Sequence, residues 1–273
     1  MVHIFNSKFF LDNKKIDNLP IGLFGDFYSH ELSFILMNKN DYKNLNFVLN
    51  KCNLNVKKIL IKSFIEGAYL SNNNKNIETF FHIKISDNNS KISFFENNAL
   101  KFEQIFSFGA EIIVNDITKI TCLKKEEVKE ILESTKLNQD IKENELVEKK
   151  YFKDGIYKKI KKKLIYEIIF ARVKEISEII LFKNNNFSHY TKFTKTIFFE
   201  LEGKLSKQSL KEIYKIAFAN NDIFKLNLID ELSDKNILIT ANKLVHFGWK
   251  KEAIPITRIQ KSLIARFFNA IFG

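Results

Sequence analysis

Glycine and proline are scarce in this chain, eight and two among 273 residues, while Lys, Asn, Ile and Phe crowd it. That bias is the mark of AT-rich coding and accounts for much of the formal charge of +12. A basic excess alone would point to nucleic acid, but no recognition motif accompanies it. Much of the Lys also alternates with Glu, as in Lys124-Lys125-Glu126-Glu127, the pattern of a solvated helix face. Only Lys158 to Lys163 is densely basic, and it opens a helical pattern, so it reads as exposed surface. Cysteine is nearly absent. Cys52 and Cys122 are far apart and the five histidines form no HxxxH-type group, which excludes a disulfide scaffold and a zinc site. Both cysteines are expected as buried reduced thiols. No apolar run approaches the roughly 20 residues that span a bilayer, and Met1 to Phe10 lacks the basic start and unbroken apolar stretch of a signal peptide. The protein is therefore expected in the cytoplasm. What is present is 45% hydrophobic residues, enough for one large domain or two modest ones with real cores.

Short β-rich runs alternate with stretches of helical period. His3 to Phe5, Lys8 to Leu11 and His30 to Met37 read as strands, with the glycine-punctuated loop Pro20 to Gly25 between the last two. Asp41 is a plausible N-cap for a helix carrying Leu45, Val48, Leu49 and Cys52. Val56 to Ser63 reads as a strand and Ile65 to Leu70 as a short helix. Three strands in series follow, Thr79 to Ser86, Lys91 to Phe95 and Phe102 to Phe108, the first two joined by the turn Asp87-Asn88-Asn89-Ser90. A helix from about Glu111, a charged helical stretch over 123–150 and a strongly apolar stripe from Leu164 to Phe182 form a helical block. Lys195 to Leu201 (strand), Ser209 to Ala219 (helix), Phe224 to Leu228 (strand) and Leu238 to Trp249 (helix) complete an α/β order.

Several segments, in order, resemble the FtsA family of actin-like bacterial cell-division proteins. Phe9-Phe10-Leu11-Asp12, Ile16 and Pro20 to Gly25 resemble its LD…I…NPxGMxG stretch, and Glu66-Gly67-Ala68 falls at its EPLASA. Ser107 to Glu111 with Asn115-Asp116-Ile117 is similar to PxGGxxxTNDI, and Tyr166 to Ile176 to EIIRPRVEEI. The resemblance implies an actin-like (ASKHA, ribonuclease H-like) α/β fold, incomplete at its start. Residues 1–28 would be a remnant of an inserted subdomain and 29–75 part of the first lobe. The second lobe would be 76–110 with 187–250, holding a helical insert at 111–186, and 251–273 would be a linker and amphipathic helix. The departures concern the nucleotide. Where the family reads DIGGGTTD, this chain reads Lys84-Ile85-Ser86-Asp87-Asn88-Asn89-Ser90-Lys91, without the glycines that let backbone N–H groups approach phosphate. Lys84 and Lys91 replace both aligned carboxylates, and Asp87 adds a negative charge within the loop. The adenosine motif is reduced to Glu200-Leu201-Glu202-Gly203-Lys204. The expectation is a degraded phosphate loop at Lys84, Ser86, Asp87, Asn88 and Lys91 and a degraded adenosine motif at Gly203, with no ATP, no metal and no enzymatic activity.

Ile256 to Phe272 is amphipathic when placed on a helix. Ile259, Leu263, Phe267 and Ile271 gather on one side, widened by Phe268 and Phe272, with Arg258, Lys261 and Arg266 opposite. Such a segment lies in the headgroup plane of an anionic membrane surface. Together with the resemblance this implies a peripheral protein on the cytoplasmic face of the plasma membrane. It would bind the C-terminal tail of FtsZ through the helical insert, with Arg172 and Lys174 as candidates, and self-associate into filaments. An actin-like scaffold of a pilus or secretion assembly is the alternative. A nucleic-acid-binding protein is a second alternative that the absence of a motif disfavours.

Overall fold

The structure is a computed structural model, and it describes residues 1–152, 157–203, 208–219 and 223–253. The chain divides into two compact units, 1–60 with 248–273 and 61–247.

In the first unit the two expected strands near the start are one, β1 (His3–Leu11), since alternate residues of a single run are buried. It is flanked by β2 (Lys14–Ile16) and β3 (Tyr28–Ile35) in an antiparallel sheet of order β2-β1-β3, so pairing joins residues 1–28 to those that follow. Asp12 Oδ1 accepts from the amides of Asp26 and Phe27, closing the long β2–β3 loop. Beyond the sheet lies α1 (Lys39–Lys51), whose first turn is capped by Asn38 rather than Asp41. The expected strand at Val56 to Ser63 does not form. Its residues to Ile61 lie outside any strand, and the rest begins a helix of the second unit.

That helix is α2 (Lys62–Asn73). It is followed by β4 (Phe80–Ile85), β5 (Ser90–Glu96), β6 (Ala99–Phe106), α3 (Glu111–Thr121), α4 (Lys125–Ser134) and α5 (Lys162–Ser177), which runs on as a π-turn to Phe182. Then come β7 (Thr196–Leu201), α6 (Gln208–Ala219), β8 (Lys225–Ile229) and α7 (Asp234–Phe247). The helical reading of 123–150 holds only for α4 and one 3-10 turn at Lys149–Tyr151. The five strands lie in the order β6-β5-β4-β7-β8, with β4–β5 and β5–β6 antiparallel and β4–β7 and β7–β8 parallel. This order and these directions are those of the ribonuclease H-like sheet, the layout of an actin-like lobe. The fold is therefore the expected α/β one.

Both faces of the sheet are covered. Phe81, Ile83 and Ile85 of β4 join Ile92, Phe94, Ile197 and Phe199 in one core with α3, α4, α5 and α6. The opposite faces of the same strands carry Phe80, Phe95 and Phe198, with Phe80 stacked on Phe95 at 4.9 Å and edge-on to Phe198 at 5.1 Å between centroids. They also carry polar residues, and these make the site. The cysteines correct the expectation of burial: Cys52 and Cys122 are both free and exposed. Each follows the last turn of a helix at the C-cap, Cys122 in left-handed conformation, where a side chain points away from the core.

Candidate functional site

The even-numbered residues of β4 alternate with its apolar core residues, so Phe80, His82 and Lys84 share the second face of the sheet. Register places Lys84 between Lys91 of β5 and Glu200 of β7. Two ammonium groups directly across an antiparallel pair repel, and Glu66, projecting from α2, lies between them. Its Oε1 is 3.2 Å from the Lys84 Nζ and its Oε2 is 2.8 Å from the Lys91 Nζ. Gly67 fixes this geometry, because a Cβ there would lie 2.0 Å from the Phe95 ring, so only glycine lets α2 sit this close to β5. Lys84 also meets Glu200 Oε1 at 3.3 Å and pairs closely with Glu202. His82 Nε2 stands 3.3 Å from Glu200 Oε2, and Ser86 Oγ donates to Glu202 Oε2 at 2.7 Å.

His82, Glu66 and Glu200 are fully buried and Lys84 nearly so. Such burial penalises every charge, and the cluster persists because each charge is paired. Burial is the largest influence on Glu66 and pushes its pKa up, but Lys91, His82 and Lys84 together outweigh it and hold the carboxyl below the ordinary value of 4.5. For Glu200, burial again pushes up while His82 and Lys84 prevail and lower it. Burial works against the Lys84 ammonium, yet Glu202, Glu66 and Glu200 raise its pKa well above that of a free lysine.

An open cavity of about 260 Å³ lies over this cluster, lined by Lys62, Glu66, Lys84, Ser86, Asn89, Lys91, Ile105 and Glu202. The structure thus gathers Lys84, Ser86 and Lys91 around one cavity. Asp87 and the exposed Asn88 form the turn beside it. Gly203, in left-handed conformation, abuts the Asp87 carboxylate, which would lie 2.6 Å from a Cβ at that position. The turn's carbonyls are engaged by the start of α3. Ser86 O accepts from Ala110 N and Asp87 O from Glu111 N, each at 2.9 Å. The close approach requires Gly109, where a Cβ would meet Ser86 O at 2.1 Å. Those two helix N-terminal amides, groups that bind phosphate in other proteins, are here occupied by backbone. The lysines that would meet a phosphate already serve carboxylates, and Glu66 and Glu202 present negative charge to the same space. This set of groups does not fit a nucleoside triphosphate. Among the described residues no group of His, Cys, Asp and Glu suits a metal ion.

No family model and no curated protein matches the chain. Among the many solved structures to which the chain is similar are the following three. Ethanolamine utilization protein EutJ from Carboxydothermus hydrogenoformans has a TM-score of 0.43 at 10% identity, over 78% of this chain and 62% of that one. For the PilM–PilN type IV pilus biogenesis complex the TM-score is 0.43 at 10% identity, over 76% of this chain and 56% of that one. For MreB5 of Spiroplasma citri bound to ADP it is 0.46 at 12% identity, over 77% and 66%. The chain thus spans about 56 to 66% of the length of these structures, and overlaps of this size carry no statement about activity.

In the sequence the partner carboxylates Glu66, Glu200 and Glu202 stand out only as motif positions, and His82 does not stand out at all. The signal was available: the run Phe80 to Ile85 is apolar except for His82 and Lys84, and a strand buried on both faces cannot keep an ammonium without carboxylates nearby. Of the candidate insert residues, Arg172 is half-buried and pairs with Asp116 and, at 2.6 Å, Glu175, while Lys174 is exposed. The basic run is partly neutralised, Lys162 by Glu145 and Lys163 by Glu143, each at 2.7 Å. The membrane residues Arg258, Ile259, Lys261, Leu263, Arg266, Phe267, Phe268, Ile271 and Phe272 lie outside the described residues. No helix among those described is long and apolar enough to cross a membrane.

Proposed function

We propose that the chain is a nucleotide-independent actin-like scaffold that tethers an FtsZ-type ring to an anionic membrane surface. The observation that carries this reading is the engagement of Lys84 and Lys91 by Glu66, Glu200 and Glu202, where an actin-like ATPase would meet phosphate. A cluster that supplies its own counter-ions leaves such a lobe in one state without ligand, the behaviour of a scaffold rather than an ATP-driven switch. The tether half of the proposal rests on the sequence of 256–272, basic on one side and apolar with aromatics on the other. The ring half rests on the ordered resemblance to FtsA.

The test is flotation with vesicles containing anionic lipid, with and without FtsZ. The full chain is expected to float and to carry FtsZ with it, and a chain ending at Pro255 to do neither. Equal flotation of both chains sinks the tether; flotation without FtsZ retains the tether and sinks the ring assignment.

A further inference from the structure

The sequence places 251–253 in a linker, whereas the structure pairs them with β1. Only Phe9 to Leu11 of β1 pair with β2, so Ile4 to Asn6 lie beyond its end, and an open strand edge invites a partner. Residues 251–253 supply it. Asn6 N donates to Lys251 O at 2.7 Å and Ala253 N to Ile4 O at 2.8 Å, on either side of an antiparallel bridge between Phe5 and Glu252. Side chains reinforce the pairing. Lys251 Nζ stands over the Phe9 ring, 5.7 Å from its centroid. The Glu252 side chain is only 5% exposed, and both its oxygens are engaged: His3 Nδ1 lies 2.7 Å from Oε1 and Lys58 Nζ 2.8 Å from Oε2. Burial pushes the Glu252 pKa up, but His3 and Lys58 prevail and hold it below the ordinary value of 4.5. All of these groups belong to the first unit.

We infer that this clasp roots the segment beyond Ala253 on β1, stays closed while that segment holds lipid, and so keeps the body from swivelling on the membrane. The inference rests on the tether reading of 256–272. A swivelling tether needs a stretch of unpaired chain between body and membrane segment. Here residues 254 and 255 alone separate the last paired residue from 256–272, and two residues reach about 7 Å at most. The carboxylate is the costly part of the device, because a buried charge is tolerated only when it is paired. A loose linker has no need of one. Glu252 draws its partners from two other places in the chain, His3 at the start of β1 and Lys58 beyond α1. In covalent order the segment follows α7 of the second unit, yet the clasp makes β1 of the first unit its point of attachment.

Hydrogen exchange of the full chain tests the clasp without lipid. The amides of Asn6 and Ala253 are expected to exchange slowly. Glu252→Ala is expected to speed both by roughly tenfold or more while β4 keeps its protection. Open-chain exchange at Ala253 in the wild type, or no change in Glu252→Ala, overturns the inference. A lock tests the lipid-bound state. With Cys52 and Cys122 replaced by serine, Ile4→Cys together with Ala253→Cys is expected to form a disulfide on mild oxidation. The oxidised chain is expected to float with anionic vesicles as well as the reduced one. Loss of flotation on oxidation means that the clasp opens for lipid, and overturns the inference. Swivelling is read from Trp249, the single tryptophan of the chain. On vesicles its residual emission anisotropy is expected to be high in the wild type and mostly lost in Glu252→Ala; equal values overturn the inference. A chain that exchanges slowly at Ala253 yet floats in neither redox state sinks the tether reading and leaves the rooting on β1 standing.

Discussion

Lys84 sits at the centre of the account at the scale of single residues. It is almost inaccessible and contacts three carboxylates. Removing one member of a buried ion group strands the others, which costs about 3–5 kcal/mol, whereas losing an exposed lysine costs little. Lys84→Met is therefore expected to lose stability of that order in urea unfolding, and Lys174→Met almost none. The same cluster sets a pH dependence. Glu66 and Glu200 have folded pKa values below 4.5, so the unfolded chain binds protons first. Their contribution is complete above that pH and is lost as pH falls through the lowered values. Lys84 behaves inversely: its contribution is complete below 10.5 and is lost as pH rises through the higher folded value. The urea midpoint should be flat near neutrality and fall in acid, and Glu66→Gln should show a shallower acid limb. Lys84 and Lys91 were legible as the places where the phosphate loop departs from its pattern. Their partners were not, because a glutamate on a helix 18 residues away carries no local sign that it will bridge two strands.

Elements were legible where a pattern had its structural cause. The strands β4 to β7 are legible as short β-rich runs and the stripe of α5 as helical period, because both are buried against neighbours. Val56 to Ser63 reads as a strand but forms none, because its alternation has no partner strand and the N-cap of α2, Ile61, offers no side-chain cap to mark the helix start. Single-residue turns matter here. Gly109 lets the start of α3 donate to the carbonyls of the β4–β5 turn. Gly109→Ala must displace backbone that a Cβ would approach to 2.1 Å. It is expected to cost about 1–3 kcal/mol, seen as a melting temperature lowered by several degrees. Asn88 at the exposed tip of the same turn should tolerate alanine within about 0.5 kcal/mol.

For the whole molecule, the α/β layout was readable from element order, and the strand order β6-β5-β4-β7-β8 then settles the lobe. The exposure of α1 was not readable: its apolar spacing is that of a core helix, yet none of its residues is buried. If residues 256–273 hold the protein to lipid partly through Arg258, Lys261 and Arg266, flotation should weaken as salt rises from about 0.1 to 0.5 M. The central claim is that ion pairs occupy the ground a triphosphate would need. Thermal unfolding of the full chain with ATP and magnesium tests it most directly, because a ligand at a hundred times its Kd adds about 2.7 kcal/mol to folding. The account predicts no saturable rise in Tm up to millimolar ATP; a clear, saturable rise at sub-millimolar ATP would contradict it.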